Sequence, residues 1–163
     1  MKNTFKFLIL AVLAILSINT ASAQTSKYKC MVQLQNYTGR EAYIAISLIN
    51  PNGEYEKTLA ILGADEEWYN TLEEWDKFRL KKSEKLNAIT FASVAPGARS
   101  TRMFEFENDK IDKGYKLRFE TSVETLNYYL KDVEVDLSTA VLDSKTAIPG
   151  TGFVKIVRFN KMP

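Results

Sequence analysis

Tyr115-Lys116-Leu117-Arg118-Phe119-Glu120-Thr121-Ser122-Val123-Glu124 is the stretch whose reading decides the fold class. Tyr115, Leu117, Phe119, Thr121 and Val123 alternate with Lys116, Arg118, Glu120, Ser122 and Glu124, a period of two. Successive side chains of a strand point to opposite faces, so this pattern is a strand with one face on a core and the other polar. Working outward, the same alternation recurs. Upstream it predicts strands over 28–36, with Cys30, Val32 and Leu34 on one face, and over 41–50, with Ile44, Ile46 and Leu48 on one side. Asn50-Pro51-Asn52-Gly53 is a turn, its proline fixing φ and its glycine permitting φ > 0, so 55–62 returns as a hairpin partner. Strands are also expected at 86–92, at 101–107 where Phe104 and Phe106 share a face, and at 127–137 with Tyr129, Val133, Val135 and Leu137 in phase. Residues 108–114 read as a polar hairpin loop, 139–142 as a short strand, and 153–159 as the closing strand.

One segment changes period. Trp68, Leu72 and Trp75 recur at helical spacing with Phe78 a turn further, predicting one short helix over 66–78. Asp65 suits its N-cap, Glu66 and Glu67 its positive end, and Lys77, Arg79, Lys81 and Lys82 its negative end. Its stripe, Trp68 and Trp75, reads as a lid on the sheet, with an aromatic ligand shelf as the alternative. Seven or eight short strands and one helix predict an antiparallel β-sandwich, immunoglobulin-like or similar.

The N-terminus sets the compartment. Lys2 and Lys6 precede an apolar run over 7–16, and Ala21-Ser22-Ala23 places small residues before a cut. This is the pattern of a cleavable signal peptide, with the cut after Ala23 and a single β-sandwich domain over 24–163. The apolar run falls short of the roughly 20 residues a membrane span needs. A periplasmic or secreted location follows. Without Lys2 and Lys6, 20 basic residues face 20 acidic ones, so no charge excess points to nucleic acid or an acidic membrane.

Absences narrow the chemistry. The sequence contains no histidine, which excludes a Ser-His-Asp triad, a Cys-His pair and a histidine-ligated metal. Its one cysteine, Cys30, excludes an intramolecular disulfide and reads as a small buried hydrophobe. Asp132, Glu134 and Asp136 alternate along one strand face, a solvated row whose alternatives are calcium ligation or a carboxylate hydrolase using Asp132 and Glu134. Gly150-Thr151-Gly152 lacks the lysine and strand-to-helix context of a phosphate loop. No catalytic residue and no metal site is assigned.

Leu86-Asn87-Ala88-Ile89-Thr90-Phe91-Ala92-Ser93 resembles the acceptor motif of proteins that receive flavin mononucleotide through a phosphoester bond, Asp-x-x-Ser/Thr-Gly-Ala-Thr/Ser. The resemblance implies Ser93 as attachment site, with Thr90 and Asn87 at the other motif positions. Asn87 stands in place of the acid and Phe91 in place of the glycine. The local alternative is a strand ending in a small-residue turn.

Tyr43-Ile44-Ala45-Ile46, Asn50-Pro51-Asn52-Gly53-Glu54-Tyr55-Glu56-Lys57-Thr58-Leu59, Trp68-Tyr69 with Leu72 and Trp75, Asn87-Ala88-Ile89-Thr90 with Ala92-Ser93 and Gly97, and Gly114-Tyr115-Lys116-Leu117-Arg118-Phe119-Glu120 together resemble a bacterial family of predicted periplasmic proteins of unknown function. Phe106-Glu107-Asn108 replaces that family's Trp-Asp-Gly. Its members are often encoded beside PepSY membrane proteins and FMN transferases. The resemblance implies an exported, noncatalytic accessory or binding protein serving a membrane redox or iron-related system, through sheet edges and exposed aromatics such as Tyr128. The alternative it implies is an electron carrier with FMN on Ser93; no other cofactor is expected.

Overall fold

The structure is a computed structural model that describes residues 24–124 and 126–163. The signal peptide read over 1–23 lies outside the described residues. The strands are β1 (Thr25–Leu34), β2 (Ala42–Ile49), β3 (Tyr55–Leu62), β4 (Thr90–Phe91), β5 (Arg99–Glu107), β6 (Lys116–Val123), β7 (Tyr128–Asp136), β8 (Ile148–Pro149) and β9 (Val154–Lys161). They form a four-stranded sheet A, order β5-β1-β9-β8, and a five-stranded sheet B, order β4-β3-β2-β6-β7. All pairings are antiparallel except β3 with β4. The two sheets enclose one apolar layer, which makes the molecule the β-sandwich that the alternation predicts.

That layer is built from the predicted in-phase residues. Cys30, Val32 and Leu34 meet Ile44, Ile46 and Leu48, with Leu117, Phe119 and Val123 beside them, all buried. Burial pushes the Cys30 thiol far up, so it stays protonated and apolar. Sheet B differs from sheet A in its second face. Ala45, Ile61, Tyr69, Leu72, Trp75 and Leu86 form a separate buried cluster there, under the helical segment. Sheet A's outer face, carrying Lys27, Lys29, Thr101, Met103, Glu105 and Arg158, is exposed.

Four local expectations are corrected. Residues 108–114 do not close a hairpin but carry the chain from β5 in sheet A to β6 in sheet B. The single helix over 66–78 is two: a 3-10 helix (Glu66–Thr71) and α1 (Glu73–Lys82). Asp65 caps the first as expected, accepting from Glu67 N–H at 3.0 Å. The break falls at Leu72, which turns fully into the outer cluster with non-helical φ −92° and ψ 69°. Packing overrides helical continuity there. The strand expected over 86–92 shrinks to β4, because 86–89 form a turn closed by Ile89 N–H donating to Leu86 O at 2.8 Å. The strand expected over 139–142 is a helical turn, α2 (Thr139–Leu142), capped by Ser138 and drawn in by buried Leu142.

The row of acids also breaks. A register shift between Phe119 and Thr121 in the β6–β7 pairing separates Asp132 from Glu134. Glu134 faces outward to Arg118 at 2.7 Å, while Asp132 is buried, 1 % exposed. The Asp132 carboxylate accepts from Thr121 Oγ1 at 2.7 Å and from the N–H groups of Thr151, Gly152 and Val154 at 2.9, 2.7 and 2.8 Å. Gly150-Thr151-Gly152 therefore does cradle an anion: the protein's own carboxylate. A Cβ on Gly150 would stand 2.5 Å from Asp132 Oδ1, and one on Gly152 2.4 Å from the Tyr129 ring, so both glycines are needed for the close approach.

Candidate functional site

Two places concentrate polar side chains on the covered side of sheet B. The first is internal. Glu120 lies on the polar side of β6, yet it is 0 % exposed beneath α1. Its carboxylate accepts from Tyr128 Oη at 2.7 Å, from Trp75 N–H at 3.2 Å and from Tyr55 Oη. Tyr128 Oη in turn accepts from Glu74 N–H at 3.3 Å. The first turn of a helix leaves its N–H groups without intrahelical partners. Leu72 offers no side-chain cap to α1, so Glu120 and Tyr128 cap it from the sheet, with a carboxylate at the positive helix end.

Burial raises Glu120 above the ordinary carboxylate range, against the lowering effect of the tyrosine and Trp75 hydrogen bonds. Burial and the Glu120 carboxylate together push Tyr128 and Tyr55 well up. Arg118 spans the edge of this network, 5.1 Å over the Tyr55 ring and paired with Glu134. Trp75 completes it by donating from Nε1 to Thr58 Oγ1 at 2.9 Å, while Thr58 Oγ1 donates to Glu84. With its partners saturated, this cluster has the character of a structural joint.

The second place is open. Arg40 and Glu41, just before β2, Tyr43 on β2, Trp68 and Thr71 of the 3-10 helix, Ser93 after β4, and Glu124 after β6 line a groove of about 370 Å³. That volume lies within the range of small-molecule sites. Each wall is fixed by the fold. Ala42 and Val94 exchange backbone hydrogen bonds of 2.8 and 3.1 Å, which brings Ser93 beside Glu41. The Tyr43 ring lies over Gly63, where a Cβ would be 2.1 Å away. Trp68 is carried on the helix that Asp65 starts, and Thr71 Oγ1 donates to Trp68 O at 2.7 Å. Arg40 Nη1 pairs with Glu124 at 2.7 Å across the groove. Ser93 Oγ donates to Glu41 Oε2. Burial, and next the nearby Asp65, raise the Tyr43 phenol, so it stays neutral.

The residues singled out by sequence scatter among these places. Trp68 and Ser93 meet in the groove. Trp75 is 0 % exposed and belongs to the internal joint. Tyr128 is half-buried with its hydroxyl on Glu120. Thr90 donates to Leu86 O at 3.0 Å, and exposed Asn87 lines a different surface depression with Arg79 and Glu84. Thus Asn87 and Ser93, three positions on either side of Thr90, open onto separate grooves. In the sequence, Arg40, Glu41, Thr71 and Glu124 are indistinguishable from ordinary surface residues. Tyr43 alone left a signal, being an aromatic out of phase with Ile44, Ile46 and Leu48.

Among the described residues, no group of three or more His, Cys, Asp or Glu side chains is arranged to hold a metal ion. Among the same residues no helix is long and apolar enough to cross a membrane. No curated protein and no solved structure matches the chain. A family model does match, over residues 25–156, and the chain belongs to the family described as "Predicted periplasmic protein (DUF2271)".

Proposed function

We propose that the protein is a noncatalytic extracytoplasmic binding module whose ligand site is the groove between Tyr43, Trp68 and Ser93. The observation that carries this reading is the convergence of two aromatic side chains with Arg40, Glu41, Thr71, Ser93 and Glu124 from four separate segments. Aromatic surface with a few placed polar groups is the chemistry of a site for a flat ring bearing hydroxyl groups. The polar groups are already paired with one another, Arg40 with Glu124 and Ser93 with Glu41, and this fixes the walls of the groove. Service to a membrane redox or iron-related partner rests on the family resemblance.

The test uses riboflavin, an uncharged ring with a hydroxylated chain, titrated against the protein's intrinsic fluorescence. Trp68 lines the groove and Trp75 is sealed in the interior, so contact quenching by a bound ring acts on Trp68, while energy transfer adds a weaker quench of Trp75. The expected result is a saturable quench whose larger, contact part Trp68→Phe removes. A titration without saturation, or a quench unchanged in Trp68→Phe, rejects the site.

A second reading is favoured by one observation: the Ser93 hydroxyl opens onto this same aromatic groove. In it, Ser93 Oγ forms a phosphoester with the FMN phosphorus of FAD, AMP leaves, and a flavin transferase takes the hydroxyl proton. The aromatic walls fit a flavin ring. The Glu41 carboxylate beside Ser93 fits the phosphate poorly, since like charges at that distance repel. Intact-mass measurement after co-expression with an FMN transferase decides it. An added FMN group absent from Ser93→Ala supports the carrier, and an unmodified mass on folded protein removes it.

A further inference from the structure

Four strands end the two sheets, and three of those edges are blocked. β4 and β8 have two residues each, and β8 carries Pro149. β7 is long, but its pairing with β6 shifts register and Thr151 N–H lies against Asp132 O at 2.9 Å, so the 150–154 turn covers part of that edge. Short strands, prolines, bulges and covering loops are the devices by which sheets refuse further strands. β5 is neither short, bulged nor broken by proline; its protection is limited to its charges, Arg99, Arg102, Glu105 and Glu107, and to cover towards its ends. It runs nine residues, pairs with β1 in unbroken register, and contains no proline or glycine.

The direction of its free groups can be read from its ends. Leu34 N–H donates to Ala98 O and Asn108 N–H to Gln24 O, both in the register of the β1–β5 pairing. Antiparallel pairs alternate between hydrogen-bonded and non-hydrogen-bonded residues, so the even-numbered residues of β5 face β1 with their backbone groups. The odd-numbered ones, Thr101, Met103 and Glu105 in the middle, present theirs to the open edge. Arg102 Nη1 rests on the Thr101 carbonyl at 2.8 Å, and the Glu107 carbonyl accepts from Lys110 N–H. The edge at Met103 and Glu105 has no such cover among the described residues. Met103, 53 % exposed, is one of the largest apolar side chains left in water.

The sequence of this edge is complementary to itself. In an antiparallel pairing of two copies about a two-fold axis at Met103, Met103 meets Met103, Thr101 meets Glu105, and Arg99 meets Glu107. The basic end of one strand therefore lies on the acidic end of the other, and the apolar residue is covered at the axis. A two-fold contact uses one patch twice, so a patch must satisfy itself; this one does in residue type and register, provided Arg102 releases the Thr101 carbonyl and Arg99 joins Lys110 on the Glu107 carboxylate. We infer that the protein self-associates through β5, joining sheet A of two copies into one continuous antiparallel sheet. The groove at Trp68 lies on the other sheet and stays open in both copies. One strand pair is smaller than a standard interface, so the dimer is weak and concentration-dependent.

Met103→Cys gives the direct test. Paired residues on neighbouring antiparallel strands have Cα atoms about 4.5–5.5 Å apart, within disulfide reach. Native Cys30 is buried and contributes little background. Mild oxidation should convert the Met103→Cys protein to a covalent dimer, whereas Lys131→Cys on the blocked β7 edge should stay monomeric. In sedimentation equilibrium the parent should dimerise as concentration rises. Arg99→Glu should weaken that dimer at least tenfold, and the double change Arg99→Glu with Glu107→Arg should restore it. A parent that stays monomeric up to millimolar concentration overturns the inference. So does a dimer untouched by Arg99→Glu, or a Met103→Cys protein that cross-links no faster than Lys131→Cys. Each readout is independent of ligand binding.

Discussion

The outer faces of the two sheets start from similar sequence patterns and end in opposite environments. β1 presents Lys27, Lys29, Met31 and Gln33 outward, and β6 presents Lys116, Arg118, Glu120 and Ser122. On sheet A, Lys27 and Lys29 stay in water and Met31 and Gln33 are half-buried. On sheet B, Arg118, Glu120 and Ser122 are buried, because α1 and the 3-10 helix lie over them. Once covered, charge must be matched, and it is: Glu120 takes two tyrosine hydroxyls and a helix N–H, and Arg118 takes Glu134, while the neutral Ser47 hydroxyl on the same face is buried without a partner. A polar side chain on a bare face is interchangeable. On a covered face the same side chain becomes a joint.

Substitutions that remove the cover or the joint should therefore cost far more than those on the bare face. The largest effect is expected for Trp75→Ala. It empties the centre of the outer cluster and takes the indole donor from Thr58 Oγ1, and large-to-small changes of this kind cost about 3–5 kcal/mol. Urea unfolding should register the loss in the midpoint. Glu120→Ala comes next. It leaves the Trp75 N–H and two tyrosine hydroxyls without an acceptor, and one buried unpaired polar group costs about 1–3 kcal/mol. The same denaturation experiment should rank it below Trp75→Ala and well above any change on sheet A.

A finer effect is electrostatic. The folded state raises Glu120 above its ordinary value of 4.5. The protonated form is thus favoured in the native protein, so this group's contribution is fully present below that value and lost as pH rises through the folded one. Glu134 runs the other way. Burial pushes it up, but the Arg118 and Lys131 interactions outweigh that and hold it below its ordinary value. Its contribution is present above the unfolded value and lost as pH falls through the folded one. Stability measured against pH should show Glu120→Gln gaining on the parent as pH rises through the carboxylate range, and Glu134→Gln losing ground over the same range. Parallel curves for both variants would mean that neither carboxylate feels its cover. The smallest effect belongs to sheet A. Lys29→Thr and Arg158→Thr should move stability by no more than about 0.5 kcal/mol.

The groove shows the same divide between pattern and placement. Trp68 and Trp75 are equivalent in a helical stripe, and only the break at Leu72 separates them, sending one to the groove and the other to the interior. Ser93 was visible through its small-residue context, but its neighbours Arg40, Glu41 and Glu124 were ordinary surface charges until the Ala42–Val94 bridge and the end of β6 brought them together. The alternation puts Asp132 in a row of three solvated acids, and a single bulge makes it the anchor of the 150–154 turn.

By itself the sequence determined the two-layer β architecture, the apolar faces that meet in it, the capped start of the helical segment at Asp65, and the absence of histidine chemistry. Each of these follows from local periodicity, local capping or composition, which need no partner to be read. The tertiary structure alone decided which polar faces would be covered, where the helix would break, which acids would turn inward, which edge would stay open, and which side chains would share a groove. Those outcomes depend on contacts between segments far apart in the chain, and a period of two is the same whether the polar side of the strand meets water or a helix.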